Sequence, residues 1–97
     1  MILELATIDI KEGKNAEFEL NLSQAKAVIS QAKGFQSIKI QHCIEVENRY
    51  VLFIYWENLE DHTEGFRNSE LFIQWRALIG PFFETAPLVQ HFYQANI

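Results

Sequence analysis

His62 and Arg76 are polar side chains set among aromatic residues at helical spacing. A histidine at the edge of a buried helix face can act as a general base, with a pKa near working pH, placed to remove a phenolic proton. It can equally be a partly buried side chain with a satisfied hydrogen bond. Arg76 stands beside Phe72, Trp75 and Ile79, and a guanidinium in that company needs an acceptor. The acceptor is either an Asp or Glu of the same domain or a carboxylate or phenolate held in a forked manner. Trp56, Phe66, Phe72 and Trp75 gather round the same region, between the end of one strand and the helix above it. Concave, mostly apolar sites with a few polar groups suit flat hydrophobic ligands. Eleven of the thirteen aromatic residues follow Arg49. Core packing accounts for many of them, and Trp56 reads as half core and half pocket wall.

Metal chemistry has little support, and no metal ligand set is expected. His42, His62 and His91 show neither H-x-H nor H-x₃-H spacing. His42 and His91 fall on the two edge strands of the sheet derived below, three strand spacings of about 4.8 Å apart, so they meet only across a dimer. Cys43 is alone, which rules out an intrachain disulfide and reads as a small buried hydrophobe rather than a nucleophile. No glycine-rich phosphate loop or serine nucleophile elbow is present.

The elements that must position these side chains follow from periodicity. Ile2 to Ile10 is rich in β-branched residues and partly alternates, the pattern of a strand. Asn15 is placed to cap a helix, whose buried face runs through Phe18, Leu22, Ala25, Ile29 and Ala32 and which Gly34 closes after Lys33. Phe35 to Ile44 is a second strand with Ile38, Ile40, His42 and Ile44 on one face. After a polar link, Arg49 to Trp56 is a third strand, hairpin-paired with the second. Asn58 to Ile79 is helical in two pieces. Leu59, His62 and Phe66 make one stripe, and a fresh face of Phe72, Trp75, Arg76 and Ile79 follows a break at Asn68-Ser69, which can cap the second piece. Gly80-Pro81 ends it, and Pro87 to Asn96 alternates as a fourth strand.

The order β-α-β-β-α-β is the ferredoxin-like arrangement, an α+β fold with an antiparallel sheet in the order 4-1-3-2 and both helices on one face. The third strand is apolar on both sides: Tyr50, Leu52, Ile54 and Trp56 on one, Val51, Phe53 and Tyr55 on the other. A sheet buried on one face only shows polar residues at alternate positions. The bare face is therefore expected to meet a second copy across a two-fold axis; the plainer reading is that aromatic residues on it are tolerated in solvent.

Composition sets the outer bounds. The 97 residues make one domain, 1–97, at 48% hydrophobic and 22% charged, a globular balance. Eight basic against thirteen acidic residues leave a net charge of −5, and only Arg67 and Arg76 are basic after Arg49. Such a chain is a poor partner for nucleic acid or an anionic membrane surface. No 18-residue apolar stretch is present, so the expectation is a soluble, cytoplasmic protein.

The run Tyr55-Trp56-Glu57-Asn58-Leu59-Glu60-Asp61-His62-Thr63-Glu64-Gly65-Phe66-Arg67-Asn68-Ser69 resembles the antibiotic biosynthesis monooxygenase domain of the dimeric α+β barrel superfamily. Phe72-x-x-Trp75-Arg76-Ala77-Leu78-Ile79-Gly80-Pro81-Phe82-Phe83 and Pro87-x-Val89-x-His91-Phe92 extend the likeness over essentially the whole chain. The resemblance implies a homodimer. It also implies oxygenase chemistry on a small phenolic, quinol or anthrone-like aromatic, with O₂ as co-substrate and no cofactor. In that scheme His62 is the base, Arg76 steadies the oxyanion, and Trp56, Phe66, Phe72 and Trp75 bind the substrate. Two positions depart from relatives. Phe66 stands where many members carry a histidine three residues before the serine matching Ser69. Thr7, Trp56 and Arg76 stand where haem-degrading members carry Asn, Trp and His, so haem degradation is not implied. The alternatives are a non-catalytic small-molecule-binding or stress-related barrel, and a structural dimer with a filled pocket.

Overall fold

A computed structural model describes residues 1–97. The strands are β1 (Ile2–Asp9), β2 (Phe35–His42), β3 (Arg49–Trp56) and β4 (Leu88–Phe92), and the α-helices are α1 (Asn15–Ile29) and α2 (Glu70–Ile79). The sheet runs β2-β3-β1-β4 with every neighbouring pair antiparallel. This is the ferredoxin-like α+β fold, with both helices on one face.

Strand parity decides what lies beneath the helices. Glu4, Ala6 and Ile8 of β1 and Tyr50, Leu52, Ile54 and Trp56 of β3 are buried, while the intervening residues are not. Phe18, Leu22, Ala25 and Ile29 of α1 and Trp75 and Ile79 of α2 close over them. The opposite face carries Leu3, Leu5, Val51, Phe53, Tyr55, Leu88 and Phe92, and no element of the chain crosses it. No helix is long and apolar enough to cross a membrane.

Four local expectations are corrected. Asn15 does not cap α1; Lys14 precedes the helix without a side-chain cap, and the Asn15 amide instead donates to the Glu47 carbonyl at 2.9 Å and the Tyr50 hydroxyl at 3.0 Å. The helix stops at Ile29 rather than Lys33, because Gln31 and Ala32 bond back three residues, to Val28 and Ile29, and tighten the final turn. β2 ends at His42, since Cys43 to Asn48 folds into a turn that leaves Ile44 93% exposed. β4 stops at Phe92 because Phe92 pairs with Leu3, near the start of β1, and Tyr93 has no strand left beside it.

The second helical stretch is broken as its face change requires, and its first piece is a π-helix, Asp61–Phe66. The Arg67 amide reaches the His62 carbonyl, five residues back, at 3.1 Å. The wider turn rotates the face: Asp61, His62 and Phe66 are buried, whereas Leu59, expected on the buried stripe, is 38% exposed. Ser69 caps α2, its hydroxyl accepting from the Phe72 amide at 3.4 Å.

Candidate functional site

Between the sheet and the π-helix–α2 pair lies a cavity of about 390 Å³. Its floor is Glu4, Ala6 and Ile8 of β1. His62, Phe66 and Arg67 form one wall, and Phe72, Trp75 and Arg76 of α2 form the roof. Phe66 meets Phe72 edge-on at 5.4 Å and Trp75 at 6.1 Å between ring centroids, so these walls support one another.

The polar end is built around Glu4, a carboxylic acid on the core-facing parity of β1 and only 6% exposed. The Trp56 indole N–H donates to Glu4 Oε1 at 2.9 Å, and His62 Nε2 lies 3.3 Å from the same oxygen. Trp56 stacks on the His62 ring at 5.3 Å and 21°, fixing the ring plane. The other ring nitrogen of His62, Nδ1, is 2.8 Å from His91 Nε2. His91 is the cross-strand neighbour of Glu4 and is only half-buried. A continuous polar line therefore runs from the cavity floor through two imidazoles toward solvent.

Burial sets the protonation states along this line. It pushes the Glu4 carboxyl up to about 7, against the lowering pull of the Trp56 N–H and the Arg67 charge. Burial, with Arg67 and His91 nearby, pushes His62 down to about 3, and burial and Arg67 also lower His91. Both imidazoles are neutral at pH 7, so each ring offers one donor and one acceptor. With Glu4 ionised, His62 Nε2–H donates to it and His91 Nε2–H donates to His62. With Glu4 protonated, every donor in the line reverses.

Five of the six residues singled out by sequence, His62, Phe66, Phe72, Trp75 and Arg76, line the cavity. Trp56 does not; it is fully buried beneath His62 and reaches the site through that ring and Glu4. Arg76 has no acidic side chain within 4.0 Å, and its guanidinium lies over Phe72 at 5.9 Å and Phe83 at 5.7 Å. The acidic partner weighed for it within the domain is not there. Glu4, Arg67 and His91 escaped the sequence reading. Glu4 was visible in principle as a carboxylic acid on the same parity as Ala6 and Ile8. His91 needed the β1–β4 register.

His42 lies elsewhere, stacked on Tyr50 at 4.3 Å. The Tyr50 hydroxyl donates to Glu19 and accepts from Asn15, and burial together with Glu19 pushes it up to about 12. No three His, Cys, Asp or Glu side chains converge as a metal site would require.

Comparison with known proteins places this architecture. Residues 1–78 match the model of the antibiotic biosynthesis monooxygenase family. The uncharacterized protein YczJ of Bacillus subtilis (strain 168) is 44% identical over 92 residues, 95% of this chain and 97% of its own. A crystal structure from Bordetella bronchiseptica, assigned to the antibiotic biosynthesis monooxygenases, superposes with a TM-score of 0.94 at 34% identity, covering 97% of this chain and 96% of that one. SnoaB, a cofactor-independent oxygenase from Streptomyces nogalater, shares the fold with a TM-score of 0.76 at 15% identity, over 99% and 93% of the two chains. The chain belongs to the antibiotic biosynthesis monooxygenase family.

Proposed function

With membership of that family as the premise, we propose that this protein is a homodimeric, cofactor-independent monooxygenase of a small phenolic, quinol or anthrone-like aromatic. The observation that carries the reading is a buried carboxyl, Glu4, set against the Trp56 indole N–H and His62 Nε2 on the floor of an apolar cavity. The cavity volume falls within the range of about 300–1,000 Å³ typical of small-molecule sites. A base is most effective when its pKa lies near the operating pH, and Glu4 meets that condition where His62 alone, held near 3, does not. The proton acceptor is therefore the Glu4–His62 couple, with the proton passed along His62 to His91 by a shift of tautomers.

For a phenol or anthrone, loss of the proton leaves an electron-rich anion that reduces O₂ directly. A carbon–oxygen bond forms to a hydroperoxide, and loss of water leaves a quinone, with one oxygen atom in the product and the other in water. Phe66, Phe72 and Trp75 hold the ring and exclude water. Arg67, whose charge acts on both Glu4 and His62, supplies positive charge beside the developing anion, and Trp56 holds both members of the couple in place. SnoaB, a cofactor-independent oxygenase of the same fold, supports the absence of a cofactor in this reaction.

The dimer is supported by the uncovered sheet face. Tyr55, Leu88 and Phe92 are 37%, 58% and 43% exposed there, beside Leu5 and Phe53, an apolar patch of the kind that marks an interaction surface. The test is O₂ uptake with a panel of hydroquinones, phenols and anthrones, comparing the native protein with His62→Ala and Glu4→Gln. Uptake with at least one substrate, cut at least tenfold in both variants, is expected. No uptake across the panel, combined with tight binding of a panel member, would replace the oxygenase with the non-catalytic binding protein.

A further inference from the structure

Among the basic residues of this acidic chain, only Arg67 and Arg76 follow Arg49, and both line the cavity. Neither has a carboxylate within 4.0 Å. Both are exposed to solvent at the cavity, so their donors are open to a ligand as well as to water. Arg76 is also held in a cradle. Phe72 and Phe83 face its guanidinium, and a Cβ added to Gly80 would lie 3.3 Å from its Nε and 3.9 Å from one terminal nitrogen, Nη2. Gly80 has φ −56° and ψ −41° and precedes Pro81, whose ring disfavours this helical conformation for a residue with a Cβ. The flat aromatic contacts face a planar fork that is open to solvent and forms no hydrogen bond within the protein.

We propose that the natural ligand of this cavity is an aromatic acid, a phenolic ring system bearing a carboxylate that Arg76 binds in a bidentate manner, with Arg67 adding charge. The inference rests on the aromatic-binding reading of the cavity and narrows its substrate class. Guanidinium and carboxylate match as planar partners, and the resulting charge-assisted bonds are about twice as strong as neutral ones. Placement agrees. The Phe83 backbone bridges to Ile10, just past the end of β1, whereas Glu4 stands near the start of that strand. Acid and phenol are thus recognised at separated points, which favours ligands with the two groups on opposite ends of the ring system. In a protein of net charge −5, two unpaired arginines at the cavity also offset the general repulsion of an anion.

The test is calorimetric titration of the full-length protein with 6-hydroxy-2-naphthoate, its methyl ester and 2-naphthol. The acid is expected to bind at least tenfold tighter than the ester. Arg76→Gln is expected to bring acid and ester to parity while leaving 2-naphthol affinity within about twofold, which also shows that the variant is folded. Equal affinity of acid and ester in the native protein, or an Arg76→Gln loss shared equally by all three compounds, overturns the proposal but leaves the aromatic site standing. Failure of all three to bind overturns both.

Discussion

Replacing Glu4 by Gln separates the charge of the buried carboxyl from its shape. The Gln carbonyl, set where Oε1 lies, still accepts from the Trp56 indole N–H and from His62 Nε2–H. What disappears is the ionisation. Glu4 titrates near 7 in the folded protein against an ordinary 4.5. Between these pH values the folded chain keeps a proton that the unfolded chain has released. The folded state binds more protons there, so the native protein loses stability as pH rises. The full penalty above pH 7 is about 3 kcal/mol, from about 1.4 kcal/mol for each pH unit separating the two pKa values. Urea unfolding of native and Glu4→Gln protein at one protein concentration, from pH 5 to pH 8.5, cancels the groups common to both. The stability difference is expected to grow in favour of Gln by about 2–3 kcal/mol across that window. A difference that stays flat would mean that Glu4 ionises normally and is not the poised base.

Two further predictions concern the frame around the site. Gly34 has φ +80°, and a Cβ there would overlap the buried carboxylate of Asp61. Gly34→Ala is therefore expected to cost at least about 3 kcal/mol, backbone strain plus the overlap, whereas Gly13→Ala, at φ +76° with nothing near, costs only about 1–2 kcal/mol of strain; thermal melts of the two variants check the contrast. Phe53→Lys on the uncovered sheet face is expected to shift the protein from dimer to monomer in sedimentation at micromolar concentration, while α-helical circular dichroism is retained. An unchanged native-like dimer would place the contact elsewhere.

The frame was legible because its signals are local. The partial alternation in β1, the continuous apolar run of β3 and the 3.6-residue stripe of α1 fixed element types, the short link fixed the hairpin, and the β-α-β-β-α-β order fixed the strand order. The ends of elements were less legible, since they depend on partners: β4 stops where β1 begins, and Asn15 turns from its own helix toward Tyr50. The aromatic half of the site followed from the break between Phe66 and Phe72. Of its acid–base half, only His62 was singled out. Glu4, His62 and His91 come from a first strand, a π-helical turn and a last strand, and they meet only through the β1–β4 register and the wider helical turn. A π-turn shifts the face by the geometry of its hydrogen bonds, which a stripe drawn at α-helical spacing does not contain.

Removal of the substrate proton by the Glu4–His62 couple is read out by the pH dependence of kcat/KM for O₂ uptake with whichever phenol or anthrone the protein turns over. A rise through an apparent pKa near 7 as Glu4 ionises is expected, with loss of that rise, together with most of the rate, in Glu4→Gln. The same inflection in the variant, or a profile flat between pH 5.5 and pH 8.5 in the native protein, would contradict it.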